Sequence, residues 1–451
     1  DVSAGASGGG AVNEELPRVL IVTSNNFNLV TGGGITLTNL FRGWPHDRLA
    51  NLHEDVLPDD HSVCRTFYRL TEEEIRWVWP FSLVRAWYGR KKQQGLAGEG
   101  GVPGSTGQGW LGSLKRLVGD GVPKRARLTP ALIEWVERFR PTLLYGFLGS
   151  LEQLTLTRAL AARFKVPLVV HMMDDWPAVL YRSGLLSSIM GPLIQRELRC
   201  ALDEARGRFA ICDAMCEEYE RRYGYVFRSF QNALVPAEWL PYARTQWQTG
   251  KPFVVRYVGS IVPDGQKESL KDIALAVASL RAAGRQIELR IHSPRRDTEY
   301  LRLLSLPSDA IMIEGPPDSP GVPHLLAQSD LLLLPYNFDA RSARYIRLSL
   351  PTKAPAYMIS GTPILVYAPA DVATARYATR EEWAYVVSEQ GQQAVAQGLG
   401  HLMDNASLRE RLGRRAQAVA VARHDAERVR REFWQSLVSA ARPDSPPGDG
   451  H

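Results

Sequence analysis

The sequence predicts an α/β protein of two halves, each a parallel sheet with helices in its crossovers. Short apolar, β-rich runs alternate with helical periodicity from Leu16 to about Trp239, and the alternation restarts at Phe253. A polar stretch from Pro241 to Pro252 separates the two series. A chain of 451 residues is also too long for one core and suggests two to three domains. With 45% apolar and 23% charged residues, both halves can bury a core. The expectation is two Rossmann-like domains.

In the first half, Leu20 to Thr23, Leu143 to Gly146, Leu168 to His171 and Phe209 to Ile211 are the candidate strands. Ile35 to Phe41, Leu154 to Phe164 and Ala214 to Tyr223 are the helices behind them, the last capped by Asp213 and stopped by Gly224. The second half opens with Phe253 to Val258 and continues through Ile287 to His292, Ile311 to Glu314, Leu331 to Leu334 and Ile364 to Val366. Helices at Ser269 to Ala283 and Val322 to Gln328 lie between these strands, and charged helices from Gln392 to Ala441 end the fold. The expected division is a disordered leader over 1–15, a first domain over 16–240, a linker over 241–252, a second domain over 253–423, a final helix over 424–441 and a tail over 442–451.

One segment breaks the rhythm. Residues 83–127 hold nine Lys or Arg against Glu99 and Asp120, a local balance of +7 where the whole chain carries +6. Trp77, Trp79, Trp87, Tyr88 and Trp110 flank and interleave it, around a Gly-rich patch. Basic clusters edged with indoles suit an anionic membrane surface, each Lys or Arg contributing about 1 kcal/mol. A soluble loop with incidental arginines is the plainer reading, and an acidic glycan is a further partner; nucleic acid is not expected. No run of eighteen apolar residues is present, so no span is expected and the location reads as cytoplasmic, peripheral on the inner membrane if the insertion binds lipid. The cysteines, Cys64, Cys200, Cys212 and Cys216, form no Cys-x-x-Cys pair, so they read as reduced thiols and no metal site is expected.

The most informative segment is Ser349-Leu-Pro-Thr-Lys-Ala-Pro-Ala-Tyr-Met-Ile-Ser-Gly-Thr-Pro-Ile-Leu-Val-Tyr, ending at Tyr367. It reads as a polar loop, a short helix, a glycine stop at Gly361 and a buried strand. The unpaired N–H groups at the head of such a helix favour an anion, and Ser349, Thr352 and Lys353 stand beside it with two hydroxyls and an ammonium. A diphosphate fits; a shaped loop with a solvated lysine is the alternative. Gly32-Gly33-Gly34 follows the first strand and lets backbone approach a ligand, although a tight turn explains three glycines too. His171 and Asp174 stand at a strand's carboxyl end, where open α/β sheets present ligands; a structural histidine is the alternative there. Gly259 to Lys267 fails as a phosphate-binding Walker loop, because five residues separate its glycines and Gln266 intrudes.

The ordered set of these motifs, from about Leu16 to Arg431, resembles the family 4-like glycosyltransferases of GT-B architecture, in which two Rossmann-like domains face each other across a cleft. The resemblance implies transfer of a sugar from a nucleotide-diphosphate donor to a glycan or lipid-linked acceptor, with retention of configuration and without a metal. No cofactor is implied beyond the nucleotide sugar itself. It also implies that Lys267, in the first loop of the second domain, neutralises the leaving diphosphate, with Lys353 in the donor loop. Gly259 and Ser260 open that first loop. Ser260 stands where the family usually has Arg, which leaves Arg344 or Arg347 to replace it. His171 is implied on the sugar and acceptor side, Asp174 as its orienting group or as a contact for an acceptor hydroxyl, and Gly32, Gly33 and Gly34 opposite the donor phosphates. His292 with Ser293, Arg295 with Arg296, and Gly315 are implied around the base and ribose, with Ser349 and Thr352 on the donor. The clearest departure is the missing Glu pair, whose two positions read Leu348 and Ala356. That departure keeps a second expectation open: a sugar-nucleotide or glycan-binding homologue without turnover. A third is a lipid-surface scaffold that acts through the insertion.

Overall fold

The computed structural model describes residues 16–78, 123–182, 184, 186–294, 311–315 and 321–442. The expected leader, the tail beyond Arg442, most of the basic insertion, and the pair Arg295 and Arg296 lie outside the described residues.

Strands β1 (Val19–Thr23), β2 (Leu49–His53), β3 (Thr66–Arg69), β4 (Ile75–Trp77), β5 (Lys124–Ala126), β6 (Leu143–Leu148), β7 (Leu168–Met172), β8 (Ala205–Ala210) and β9 (Arg228–Ser229) belong to the first lobe. Seven of them form one parallel sheet in the order β3-β2-β1-β6-β7-β8-β9. β4 and β5 pair antiparallel as a separate two-stranded ribbon, and the basic insertion leaves and returns through it. The second lobe holds β10 (Phe253–Val258), β11 (Ile287–His292), β12 (Ile311–Glu314), β13 (Leu331–Pro335), β14 (Ile364–Tyr367) and β15 (Tyr385–Val387), all parallel in the order β12-β11-β10-β13-β14-β15. Two parallel sheets with helical crossovers are therefore present, as the alternation of apolar runs predicts.

β2 carries Asn51 and His53, and β3 is short and half-buried, so neither shows the unbroken apolar run that marks a buried parallel strand. Helices Pro130–Phe139 and Ser187–Glu204 were not expected either; the second contains Pro192. The helix expected at Ala214 begins at Asp213 with Cys212 in the cap position, so Asp213 is inside the first turn. There its carboxylate accepts a hydrogen bond from Ser229 and faces the positive helix end, and Gly224 at φ +80° stops the helix as expected.

β1 buries Leu20 and Val22 on one face, against the helices of 130–223, and Val19 and Ile21 on the other. The latter face is completed by the last helix, Ala426–Ala441, whose Phe433 is fully buried among Phe41, Tyr145, Phe209 and Phe230 in edge-to-face contacts of 5.1 to 5.9 Å. Asp425 caps that helix by accepting the Arg428 amide at 2.8 Å. The chain crosses between the lobes twice, and the crossings are bound together: the Leu234 amide donates to His424 O at 3.0 Å, and the Ala426 amide to Leu234 O at 2.8 Å.

Candidate functional site

The carboxyl ends of the two sheets meet at a cavity of about 200 Å³, walled by Asn25, Gly32, Gly33 and Gly149 with Asp174 from the first lobe and by Thr352 from the second. The glycines form the first turn of helix Gly32–Phe41, where a loop or tight turn ahead of a helix from Ile35 was expected. Thr31 caps the helix by accepting the Gly34 amide at 3.2 Å, and the Ile35 amide donates to Thr31 O. The Gly32 and Gly33 amides lie ahead of the intrahelical ladder and so remain available to an anion. Sterics explain the three glycines. A Cβ on Gly32 would come 2.9 Å from Thr352 Oγ1, one on Gly33 2.3 Å from Asn25 Oδ1, and one on Gly34 2.2 Å from Asn28 Nδ2. Gly34 is thus a packing residue, while Gly32 lets the two lobes touch.

Among the residues lining this cavity, Asp174 is the charged one. Burial pushes its carboxyl up, against a hydrogen bond from Ser349 Oγ at 3.0 Å that favours the anion. Its neighbour Asp175 turns the other way. Arg222 donates to it twice, at 2.8 and 2.9 Å, and Tyr219 OH donates at 3.1 Å.

Lys353 follows Thr352 of the cavity wall and directly precedes helix Ala354–Ile359, and it is not itself among the residues lining the cavity. Its Nζ sits 4.0 Å from the centre of the Tyr257 ring, and among the described residues no carboxylate lies within salt-bridge reach. The side chain keeps some solvent contact, yet protein crowds its ammonium and burial holds the pKa down at about 7. Gly259 at φ +139° makes room, since a Cβ there would lie 2.3 Å from Nζ. Lys353 therefore stands at the backbone of the Gly259–Ser260 turn.

The other expected cations do not join it. Residues Pro263–Lys267 wind into a π turn that absorbs one extra residue, and Lys267 Nζ lies 3.7 Å from Glu268, outside the cavity lining. Neither Lys267 nor Lys353, expected to converge on one crevice, is among the residues lining this cavity. Arg344 is exposed and donates to Ala340 O of its own helix at 3.1 Å. Arg347 pairs with Glu218 of the first lobe at 2.7 Å, and Glu218, gripped chiefly by Arg221 and also by Arg222, is held down at about 2. Ser260 is exposed, and its carbonyl accepts Tyr257 OH at 2.6 Å.

His171 is fully buried on β7, outside the cavity lining. Its Nδ1 meets Tyr145 OH at 2.6 Å among Phe147 and Phe209, and burial lowers its pKa to about 3, so it is neutral at physiological pH. The aromatic shell takes the side chain away from the cleft. His292, at the end of β11, contacts Arg256 and lies 3.7 Å from Glu314, with its pKa lowered by burial; its carbonyl accepts the Gly259 amide at 2.9 Å. Gly315 follows β12, and a Cβ there would meet no described residue within 4 Å. Leu348 is buried in the first lobe's core, and its carbonyl accepts Cys212 Sγ–H at 3.2 Å.

Sequence reading missed Asn232. Its Oδ1 accepts Asn39 Nδ2 at 2.8 Å, its Nδ2 donates to Thr352 O at 2.8 Å, and its backbone carbonyl meets His424 Nδ1 at 3.2 Å. One side chain thus ties the glycine-led helix to the donor loop. Its partners lie far away in the chain, so no local pattern announces it. Among the described residues no three His, Cys, Asp or Glu side chains gather as metal ligands, and no helix is long and apolar enough to cross a membrane.

No protein-family model matches the chain, and no curated protein matches it by sequence. Solved structures do match its fold. HepE from Anabaena, in complex with UDP and glucose, is 15% identical with a TM-score of 0.58 over 94% of this chain and 100% of that one. Sucrose-phosphate synthase from Thermosynechococcus elongatus is 15% identical with a TM-score of 0.62, covering 93% and 98%. WaaG, a glycosyltransferase involved in lipopolysaccharide biosynthesis, is 14% identical with a TM-score of 0.56, covering 92% and 98%. At such identities the likeness shows the fold, which is GT-B: two Rossmann-like domains facing across a cleft.

Proposed function

We propose that this chain is a glycosyltransferase that moves a sugar from a nucleotide-diphosphate donor to a glycan or lipid-linked acceptor, with retention and without a metal. Two features support this: Lys353 at the Gly259 turn, a cation without a carboxylate partner among the described residues, and the helix-start amides of Gly32 and Gly33 opposite Thr352, which lie ahead of the intrahelical ladder. Solved structures of the same fold carry UDP, UDP-glucose and glucose, which is the chemistry this arrangement suits.

In the proposed reaction the bond from the anomeric carbon to the diphosphate oxygen breaks, and negative charge grows on the leaving group. Lys353 and the glycine amides stabilise that charge. The acceptor oxygen bonds the anomeric carbon on the same face and its proton passes to the leaving phosphate, which keeps the configuration. Asp174 faces the sugar, where its carboxylate orients the acceptor hydroxyl or offsets positive charge on the ring. In this reading His171 positions the β6 and β7 ends as a neutral group.

The decisive experiment is a donor panel of uridine and guanosine diphosphate sugars assayed for hydrolysis and transfer, with Lys353→Met beside the native chain. Turnover that falls with the substitution supports the reading. Leu348, sealed in the first lobe's core, and Ala356 favour a second one: both lack the carboxylate that would hold a ribose, so a binding protein without turnover is the alternative. Saturable binding of a nucleotide diphosphate with no turnover of any donor would favour it. The charge of residues 83–127 supports peripheral attachment to the anionic inner leaflet. Cosedimentation with liposomes that ignores anionic lipid content would reject that attachment.

A further inference from the structure

A second groove, of about 340 Å³, opens on the outer side of the first lobe. Leu151 lines it, two residues beyond Gly149 of the cleft wall. Its floor is apolar: Leu128 after β5, Leu156 and Ala159 of helix Leu151–Phe164, and Leu193 of helix Ser187–Glu204. Ile189, one turn before Leu193, is 65% exposed and carries the apolar strip out to the surface.

The rim is basic. Lys124 is engaged, at 3.0 Å from Glu152 and 3.6 Å from Glu54. Arg125 and Arg127 are exposed, and neither guanidinium meets a carboxylate among the described residues. The groove's own acid, Glu197, is matched by Arg158 and Arg196. Contacts tie the rim to the cleft: the Gly149 amide donates to Gln153 Oε1 at 3.0 Å, Gln153 Nε2 donates to Glu54 at 3.0 Å, and Glu54 holds Lys124. An apolar trough edged by two cations that meet no carboxylate among the described residues matches an anionic head on a hydrocarbon chain. A free glycan would leave the trough unused, and a free phosphate would ignore it.

We propose that this groove seats the hydrocarbon chain of an anionic, lipid-linked acceptor, with Arg125 and Arg127 on its phosphate and its sugar end directed into the cleft. The identity of the ligand as acceptor rests on the transferase reading; the binding chemistry does not.

The test is calorimetric titration of the full chain with geranylgeranyl diphosphate below its aggregation concentration, beside inorganic diphosphate, neutral geranylgeraniol, anionic vesicles and UDP. The expected result is saturable binding of the amphiphile, at least about tenfold tighter than inorganic diphosphate or the neutral alcohol. Ala159→Phe, which fills the trough, should weaken it about tenfold, and the paired exchange Arg125→Ser with Arg127→Ser about three- to tenfold, with UDP binding unchanged. The exposed arginines keep the test valid if Ala159→Phe fails to fold. No saturable binding, equal binding of inorganic diphosphate, indifference to the arginine exchange, or binding to vesicles alone would each overturn the proposal. Loss of UDP binding and donor turnover with the amphiphile still bound would instead count against the transferase reading.

Discussion

At the level of single residues the proposed reaction rests on Lys353. Its amine is cationic below about pH 7 and neutral above, because burial opposes the charge. A bound diphosphate favours the cation, so donor affinity should be greatest below pH 7 and fall up to about tenfold per pH unit above it, until the raised pKa of the complex is reached. Binding near pH 7 should take up protons, seen as heats that depend on the buffer's ionisation enthalpy. Lys353→Met should abolish both the uptake and the slope, and lower turnover about 10²- to 10³-fold. Gly32 gives a steric prediction: Gly32→Val pushes against Thr352 Oγ1, already 2.9 Å from the position of a Cβ, and should raise the donor KM while thermal unfolding moves little. The sequence marked both residues, Lys353 by its place in the donor loop and Gly32 by its run of glycines. Lys267 ends a π turn whose Gly265 carbonyl accepts the Asn337 amide, and its Nζ lies 3.7 Å from Glu268, an arrangement no local pattern announces.

Among the elements, the glycine-led helix and the donor loop act as one unit because Asn232 joins them. Asn232→Ala takes the side-chain donor from the Thr352 carbonyl and one of two acceptors from Asn39, whose Nδ2 keeps Ala233 O at 3.0 Å, at a cost of about 1 to 3 kcal/mol. Turnover should fall further than that cost in stability, with Asn232→Asp losing the donor to Thr352 and Asn232→Gln recovering little. Measuring kcat beside the unfolding midpoint separates positioning from general loosening. The β4–β5 ribbon shows what local sequence cannot reveal, since its strands are three residues each and pair across the whole basic insertion. Helix ends marked by glycine were easier to read: Gly224 and the loop-helix-glycine-strand unit ending at Tyr367 carry their signals within a few residues.

At the scale of the molecule the lobes are held closed by polar and apolar contacts together. Arg347 pairs with Glu218, Arg376 with Glu217 and Arg380 with Asp213, while Leu348 is seated in the first lobe's core. Ligand pockets generally run to about 300–1,000 Å³, so a cleft cavity of about 200 Å³ requires the lobes to part before a whole nucleotide sugar enters. The partly exposed ion pairs suit such a motion, because each stabilises closure by about 1 kcal/mol or less. The last helix is a different matter. Phe433→Ala should cost about 3 to 5 kcal/mol and lower the unfolding midpoint, because it leaves a cavity among four aromatic rings of the first lobe.

By itself the sequence determined the two parallel-sheet halves and their helical crossovers, and it marked the short segments proposed to face a ligand, because apolar periodicity, caps and glycine turns act within a few residues of one another. The tertiary structure alone decided which charges meet. Arg347 is taken by Glu218, His171 withdraws into an aromatic shell, and Lys353 sits on the Tyr257 ring beside Gly259 with no carboxylate in reach among the described residues, since each outcome depends on atoms brought together from distant parts of the chain.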